Sequence, residues 1–219
     1  DLMALVIYQD GAGDGDRLMA YDLDLLQQAA RNEIGPTLRF YTWARPTISL
    51  GFHQSADVLD LPKLARDHLP WTRRPTGGAA VLHSEELTYA IVAPLSESGG
   101  GKRLQQYVSV AIAEGLRSMG VPAEVDERGE PLTALPNRTS CFVRTSRWEV
   151  TARGRKLVGS AQRRLGNAYL QHGSILMGDD HLRIVDYLSI SPEPARDLLR
   201  KKLQTRATTI STELKRDVN

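Results

Sequence analysis

Apolar residues fall in short runs along the chain. Met3 to Tyr8 predicts a strand, and Arg17 to Asn32 places Leu18, Met19, Leu23, Leu25, Leu26 and Ala29 at roughly helical spacing. Two strands, Thr37 to Trp43 and Thr47 to Gly51, follow on either side of Arg45-Pro46, and then a brief helix covers Leu61 to His68. Trp71 to Arg74 and Ala80 to His83 flank the turn-forming stretch Pro75-Thr76-Gly77-Gly78, and Leu87 to Ala93 reads as a buried strand. Ser98-Gly99-Gly100-Gly101 leads into a helix over Lys102 to Met119. Asp126 to Ser140 is polar, with two prolines and a glycine, and reads as an irregular loop. Trp148 to Ala152 and Lys156 to Gln162 are joined by Arg153-Gly154-Arg155, a hairpin signal. Tyr169 to Leu176 is a further strand, and Asp180 to about Thr205 reads as two helices broken near Pro192 and Pro194. Strands and helices intermix without strict alternation. This predicts an α/β (α+β) chain with helices packed on a mixed sheet.

At 219 residues the chain is long enough for one sizeable core, so residues 1–219 are expected to form one domain. Every apolar run is broken by a charge well before twenty residues, so no membrane partner is expected. No secretory pattern opens the sequence, although a first residue of Asp1 leaves a removed leader open. The lone cysteine, Cys141, excludes an internal disulfide framework and points to a reducing, cytoplasmic compartment. The sequon Asn137-Arg138-Thr139 is accordingly read as chance. A net charge of +2 is too small for nucleic acid to be the main ligand. Basic clusters at Arg73-Arg74, Arg153 to Lys156, Arg163-Arg164 and Arg200 to Lys202 read as solvated surface or as a docking face for an acidic protein. The histidines are scattered and there is no cysteine pair, so no metal site is expected.

Three stretches and the cysteine carry candidate chemistry. In Arg73 to His83, Gly77 and Gly78 let the backbone pass close to a ligand with its N–H groups inward. Arg73 and Arg74 beside them suit a carboxylate, a phosphate or a phosphopantetheine group, or else sit on the surface of a tight hairpin. In Gly154 to Gln162, Lys156 opens a strand, and Gly159, Ser160 and Ala161 leave room for a ligand chain. An ammonium there could stabilise a carbonyl oxygen as it becomes negative; the alternative is a hairpin lysine with small residues that permit close packing. In Tyr169 to Leu176, His172 beside Gly173 is either catalytic or a hydrogen-bonded core residue, and the same choice applies to His83. Cys141 is by default a small buried hydrophobe. With a pKa near 8.5 its thiol is only about 3% thiolate at neutral pH, so a nearby ammonium would raise its reactivity for thioester exchange.

Trp43 with Ser49 to Gln54, Arg73 through Tyr89, Cys141-Phe142, Lys156 through Gln162 and Gln171 through Leu176 occur in order. On these pieces, over roughly Leu18 to Tyr187, the chain resembles the lipoate–protein ligase A and octanoyltransferase family of the biotin/lipoyl ligase superfamily. The resemblance implies a mixed, largely antiparallel central sheet flanked by helices, with no accessory C-terminal domain. Cys141-Phe142 resembles the LipM-type octanoyltransferases. That implies octanoate taken from acyl carrier protein as a Cys141 thioester and passed to a lysine of a lipoyl domain or glycine-cleavage H protein. Lys156 would be the second catalytic residue, and no cofactor would be needed. Arg73, Arg74, Gly77, Gly78, Ala79, His83, Gly159, Ser160, Ala161, His172 and Gly173 are the implied substrate-binding positions. The acyl tunnel would run along the strands around Val81 and Gly159. Amides near Gly77-Gly78 or His172-Gly173 would stabilise the oxyanion. Ligases of the family generally carry an Asn-Asp type sequence in this region and form an acyl-adenylate. The alternative is therefore an ATP- and Mg2+-dependent ligase in which Lys156 grips the carboxylate; a second is a non-catalytic acyl-binding scaffold. Ala79 stands where LipM-like sequences often have arginine, and a small residue there is more typical of the ligases.

Overall fold

The computed structural model of the chain describes residues 4–95, 100–128, 142 and 147–218. Strand β1 (Val6–Gly13) pairs in parallel with β2 (Thr37–Trp43), and helix α1 (Gly15–Ala30) makes the crossover between them. Leu18, Met19, Leu25, Leu26 and Ala29 form the buried stripe of α1, and Asp22 interrupts that stripe while fully buried. From β2 the main sheet continues antiparallel through β6 (Glu86–Pro94), β10 (Ala168–Leu176), β9 (Arg155–Leu165), β8 (Glu149–Ala152) and β7 (Ala123–Asp126). The central strands β6 and β10 are almost wholly buried; the second half of β6 is accordingly apolar, whereas β10 buries the polar Gln171, His172 and Ser174 at its centre.

Alternate residues of β6 serve two cores. Ala90 and Val92 pack with Leu18 and Leu26 of α1. Tyr89, Ile91 and Ala93 pack with Leu104, Val108 and Leu116 of α3 (Gly101–Ser118), so the two helices cover opposite faces. A second sheet places β3 (Thr47–Leu50) between β4 (Trp71–Arg73), parallel to it, and β5 (Val81–His83), antiparallel. Ile48, Leu50 and Leu82 of this sheet pack against Val185 and Leu203 in a third core. Helix α2 (Leu61–Arg66) begins behind Asp60, whose carboxylate accepts from the Lys63 amide.

The largely antiparallel sheet flanked by helices is as expected. Trp71–Arg73 and Val81–His83 flank the glycine turn as expected, and β3 lies between them, so the stretch is not the tight hairpin of the alternative reading. Two local readings need correction. The first of the two helices expected after Asp180 is a 3-10 run, Asp179–Tyr187, and only the second, α4 (Glu193–Arg206), is α-helical. Strand β7 ends at Asp126, where an irregular loop was expected to begin; most of that loop lies outside the described residues. A short α5 (Ile210–Leu214) follows. No helix among the described residues is long and apolar enough to cross a membrane.

Candidate functional site

The two sheets and α1 enclose a small, mainly apolar cavity of about 30 Å3, room for one or two waters. Met19 of α1, Tyr41 and Trp43 of β2, Val81 and His83 of β5, and Thr88 of β6 form one part of its wall. Gly159, Ser160 and Ala161 of β9 and His172, Gly173 and Ser174 of β10 form the rest, with Arg74. Arg74, His83, Gly159, Ser160, Ala161, His172 and Gly173 were expected at the site, and the fold brings them to this one space.

Two carboxylate–histidine–hydroxyl chains meet there. In the first, His172 Nδ1 lies 2.8 Å from Asp22 Oδ2, and Nε2 lies 2.5 Å from Thr76 Oγ1. Asp22 also accepts from the Arg39 guanidinium and, at 2.8 Å, from the Tyr41 hydroxyl. Burial first, and then the Asp22 charge, pushes the Tyr41 phenol well above its ordinary pKa, so Tyr41 keeps its proton as a donor. Surrounded by donors, the carboxylate assigns the proton of His172 to Nδ1, which turns Nε2 toward Thr76.

In the second chain, His83 Nδ1 lies 2.8 Å from Glu86 Oε1, and Nε2 lies 2.7 Å from Ser49 Oγ. The imidazole is stacked on Trp43 with ring centroids 4.0 Å apart. Burial works to raise the Glu86 pKa. His83, with hydrogen bonds from Thr88 and Ser174, outweighs it and holds the carboxyl below its ordinary value.

The Arg73–Ala79 stretch proves to be a braced loop. Arg74 is buried, and its guanidinium donates to the carbonyls of Ser49, Gly77 and Ala79, so it holds the loop in shape. Arg73 Nη1 donates to the carbonyls of Gly51 and Gln54, at 2.8 and 2.5 Å, and the side chain borders a neighbouring space. Gly51 and Gly78 meet so closely that a Cβ on Gly51 would overlap the Gly78 carbonyl oxygen. Gly77, Gly78 and Ala79 reach the cavity only through Arg74, and none of the three lines it. His172 and Gly173 belong to a strand paired on both sides, so their amides lie in the sheet ladders. The expectation that they serve as oxyanion donors is therefore corrected.

Lys156 stands one layer behind the cavity. It is buried, and its Nζ lies 2.7 Å from Glu149 Oε1 across the β8–β9 hairpin. The Phe142 ring covers it, 5.5 Å from Nζ to centroid. The same ring lies on Gly159, where an added Cβ would come within 2.9 Å of Phe142 Cζ, so only glycine fits without displacing the ring. The other edge of Phe142 meets His181, with centroids 5.7 Å apart. Cys141 itself lies outside the described residues.

Sequence reasoning missed Asp22, Thr76, Glu86, Glu149 and Met19 as parts of this arrangement. Asp22 left a readable signal: it falls on the apolar stripe of α1, four residues after Leu18 and four before Leu26. Nothing in the sequence singles out Glu149, because its role depends on hairpin register.

The family model of the lipoyl protein ligase A/B catalytic domain matches residues 14–219. Among curated proteins, the octanoyltransferase LipM of Kyrpidia tusciae is 38% identical over 207 residues, covering 91% of this chain and 76% of the relative. That of Moorella thermoacetica is 38% identical over 216 residues, covering 95% and 78%. Among solved structures, a bipartite lipoate protein ligase from Thermoplasma acidophilum, described with its E2 lipoyl domain, superposes with a TM-score of 0.72. It is 20% identical, and the match covers 99% of this chain and 78% of that one. A lipoate-protein ligase A bound with ATP gives 0.62 at 21% identity, covering 98% and 86%. At these identities the solved structures speak for the fold.

Proposed function

We propose that this chain, which belongs to the lipoyl protein ligase A/B catalytic-domain family, is an octanoyltransferase of lipoate assembly. It takes octanoate from acyl carrier protein and delivers it to a lysine of a lipoyl domain or of the glycine-cleavage H protein. Its similarity to curated octanoyltransferases over most of their length supports the reaction class.

One observation of the fold carries the assignment of the thiol. Phe142, the residue after Cys141, packs between the Lys156 ammonium and Gly159, which lines the apolar cavity. Phe142 is the neighbour of Cys141 in the sequence, and its contacts with Lys156 and Gly159 are what supports Cys141 as the thiol of this reading.

The Cys141 thiolate attacks the carbonyl carbon of the octanoyl thioester, and the carrier thiol leaves with a proton. The amine of the acceptor lysine then attacks the new thioester, loses its proton, and releases Cys141. The Lys156 ammonium, behind the Gly159 end of the cavity, opposes the negative charge that develops on the carbonyl oxygen. A thioester already holds the acyl group activated, so this route uses no nucleotide. Burying about six methylenes at ~0.8 kcal/mol each gives ~5 kcal/mol of chain recognition. The cavity must widen to collect it.

The test is incubation with octanoyl-acyl carrier protein without ATP, followed by intact mass. A hydroxylamine-sensitive octanoyl adduct is expected on the wild type and not on Cys141→Ala. Acceptor acylation strictly dependent on ATP and magnesium would select the ligase reading, and tight acyl binding without transfer would select the scaffold.

A further inference from the structure

We propose that Met19 is a gate that sets acyl chain length. The inference rests on the acyltransferase reading above. Beside the small cavity lies a larger, open one of about 330 Å3. Met19 and Arg74 line both spaces, so these two side chains form the partition. Gly159, Ser160 and Ala161, which mark the end next to Lys156 and Phe142, border the small cavity and not the larger one. An acyl chain that starts at Gly159 therefore meets the partition with its methyl end.

The two halves of the partition differ in mobility. Arg74 is fixed by hydrogen bonds to the carbonyls of Ser49, Gly77 and Ala79. Met19 is unbranched and held only by packing, so its thioether can change rotamer at little cost. Beyond it, Ala20, Leu23 and Phe52 offer apolar surface for further methylenes, with Arg163 stacked on Phe52 at 4.5 Å. The ligand class is thus a straight saturated acyl group. The small cavity widens to admit an acyl chain, Met19 at the partition limits how far that chain extends, and a smaller residue there opens the way to dodecanoyl and longer.

The experiment compares wild type, Met19→Ala and Met19→Phe on hexanoyl-, octanoyl-, dodecanoyl- and tetradecanoyl-acyl carrier protein. Initial rates of acceptor acylation are read by mass, and circular dichroism checks the fold. Each newly buried methylene is worth about fourfold in binding. Met19→Ala is therefore expected to raise the dodecanoyl-to-octanoyl rate ratio at least about tenfold. Met19→Phe, which enlarges the stopper, is expected to shift the preference toward hexanoyl, and it decides the matter should Met19→Ala not fold. A wild-type length profile in the folded variants, or octanoyl loss in Met19→Ala with no gain for longer chains, overturns the gate. Failure of the wild type to transfer any acyl group overturns the acyltransferase reading instead.

Discussion

Asp22 on α1 and His172 on β10 are 150 positions apart in sequence, yet Oδ2 of one lies 2.8 Å from Nδ1 of the other. The same carboxylate carries the buried charge of Arg39. In Asp22→Asn an amide NH2 would face groups that themselves donate, and the pairing with Arg39 would weaken. Breaking a buried pair from one side costs about 3–5 kcal/mol. Asp10 still accepts from Arg39 Nε at 2.6 Å, so the lower end is expected, together with loss of transfer as His172 and Thr76 lose alignment. Urea unfolding measures the first effect. A loss below about 1 kcal/mol would show that the Asp22 carboxylate does little for the fold.

This pair also shows how much of the molecule could be read in advance. Helices α1 to α4, most strand positions and the glycine-marked loop follow from local spacing. Burial of Asp22, Glu86, Glu149 and Lys156 does not, because each is tolerated only by a partner from another element or across a hairpin register. Arg73 and Arg74 show the same limit: the sequence offered two arginines for an anion, and tertiary contacts turned both onto backbone carbonyls. The cavity itself is a product of two sheets meeting, and no single segment announces it.

Lys156→Met removes the ammonium that faces Glu149, and it is expected to abolish acyl transfer and to destabilise the fold by about 3 kcal/mol. Adding Glu149→Gln should return most of the stability and none of the activity. Transfer assays beside denaturant titrations separate the two effects. Transfer retained in Lys156→Met would remove Lys156 from the chemistry.

Gly159→Ala drives a methyl group into the Phe142 ring, within 2.9 Å of Cζ. Overpacking of this kind costs about 1–3 kcal/mol. Because Phe142 adjoins Cys141, the displacement is expected to slow formation of the acyl adduct by tenfold or more while the protein remains folded. An adduct forming at the wild-type rate would count against any coupling of Phe142 to the reacting thiol.

His181 makes stability depend on pH. Burial, its largest influence, holds the imidazole pKa below the ordinary 6.5, and Nε2 has no hydrogen-bond partner among the described residues. Below about pH 6.5 the unfolded chain binds a proton that the folded chain refuses, so stability falls as pH drops from that value toward the lower folded one. In His181→Phe the His181 contribution to that slope is expected to disappear. Unfolding free energies at pH 7, 6 and 5 measure it, and equal slopes in the two proteins would contradict it.

Thr76 reaches from the glycine loop to His172 on β10, and Ser174 on β10 reaches His83 on β5, so polar fasteners cross the junction between the two sheets beside the cavity. An acyl chain lodged at that junction touches both sheets at once and binds only when they are joined. Occupancy then becomes a clamp on the whole fold, since a ligand bound only by the native form lowers the unfolded fraction by mass action. Protease resistance, and with it the amount of protein a cell retains, should therefore rise and fall with the supply of acyl donors.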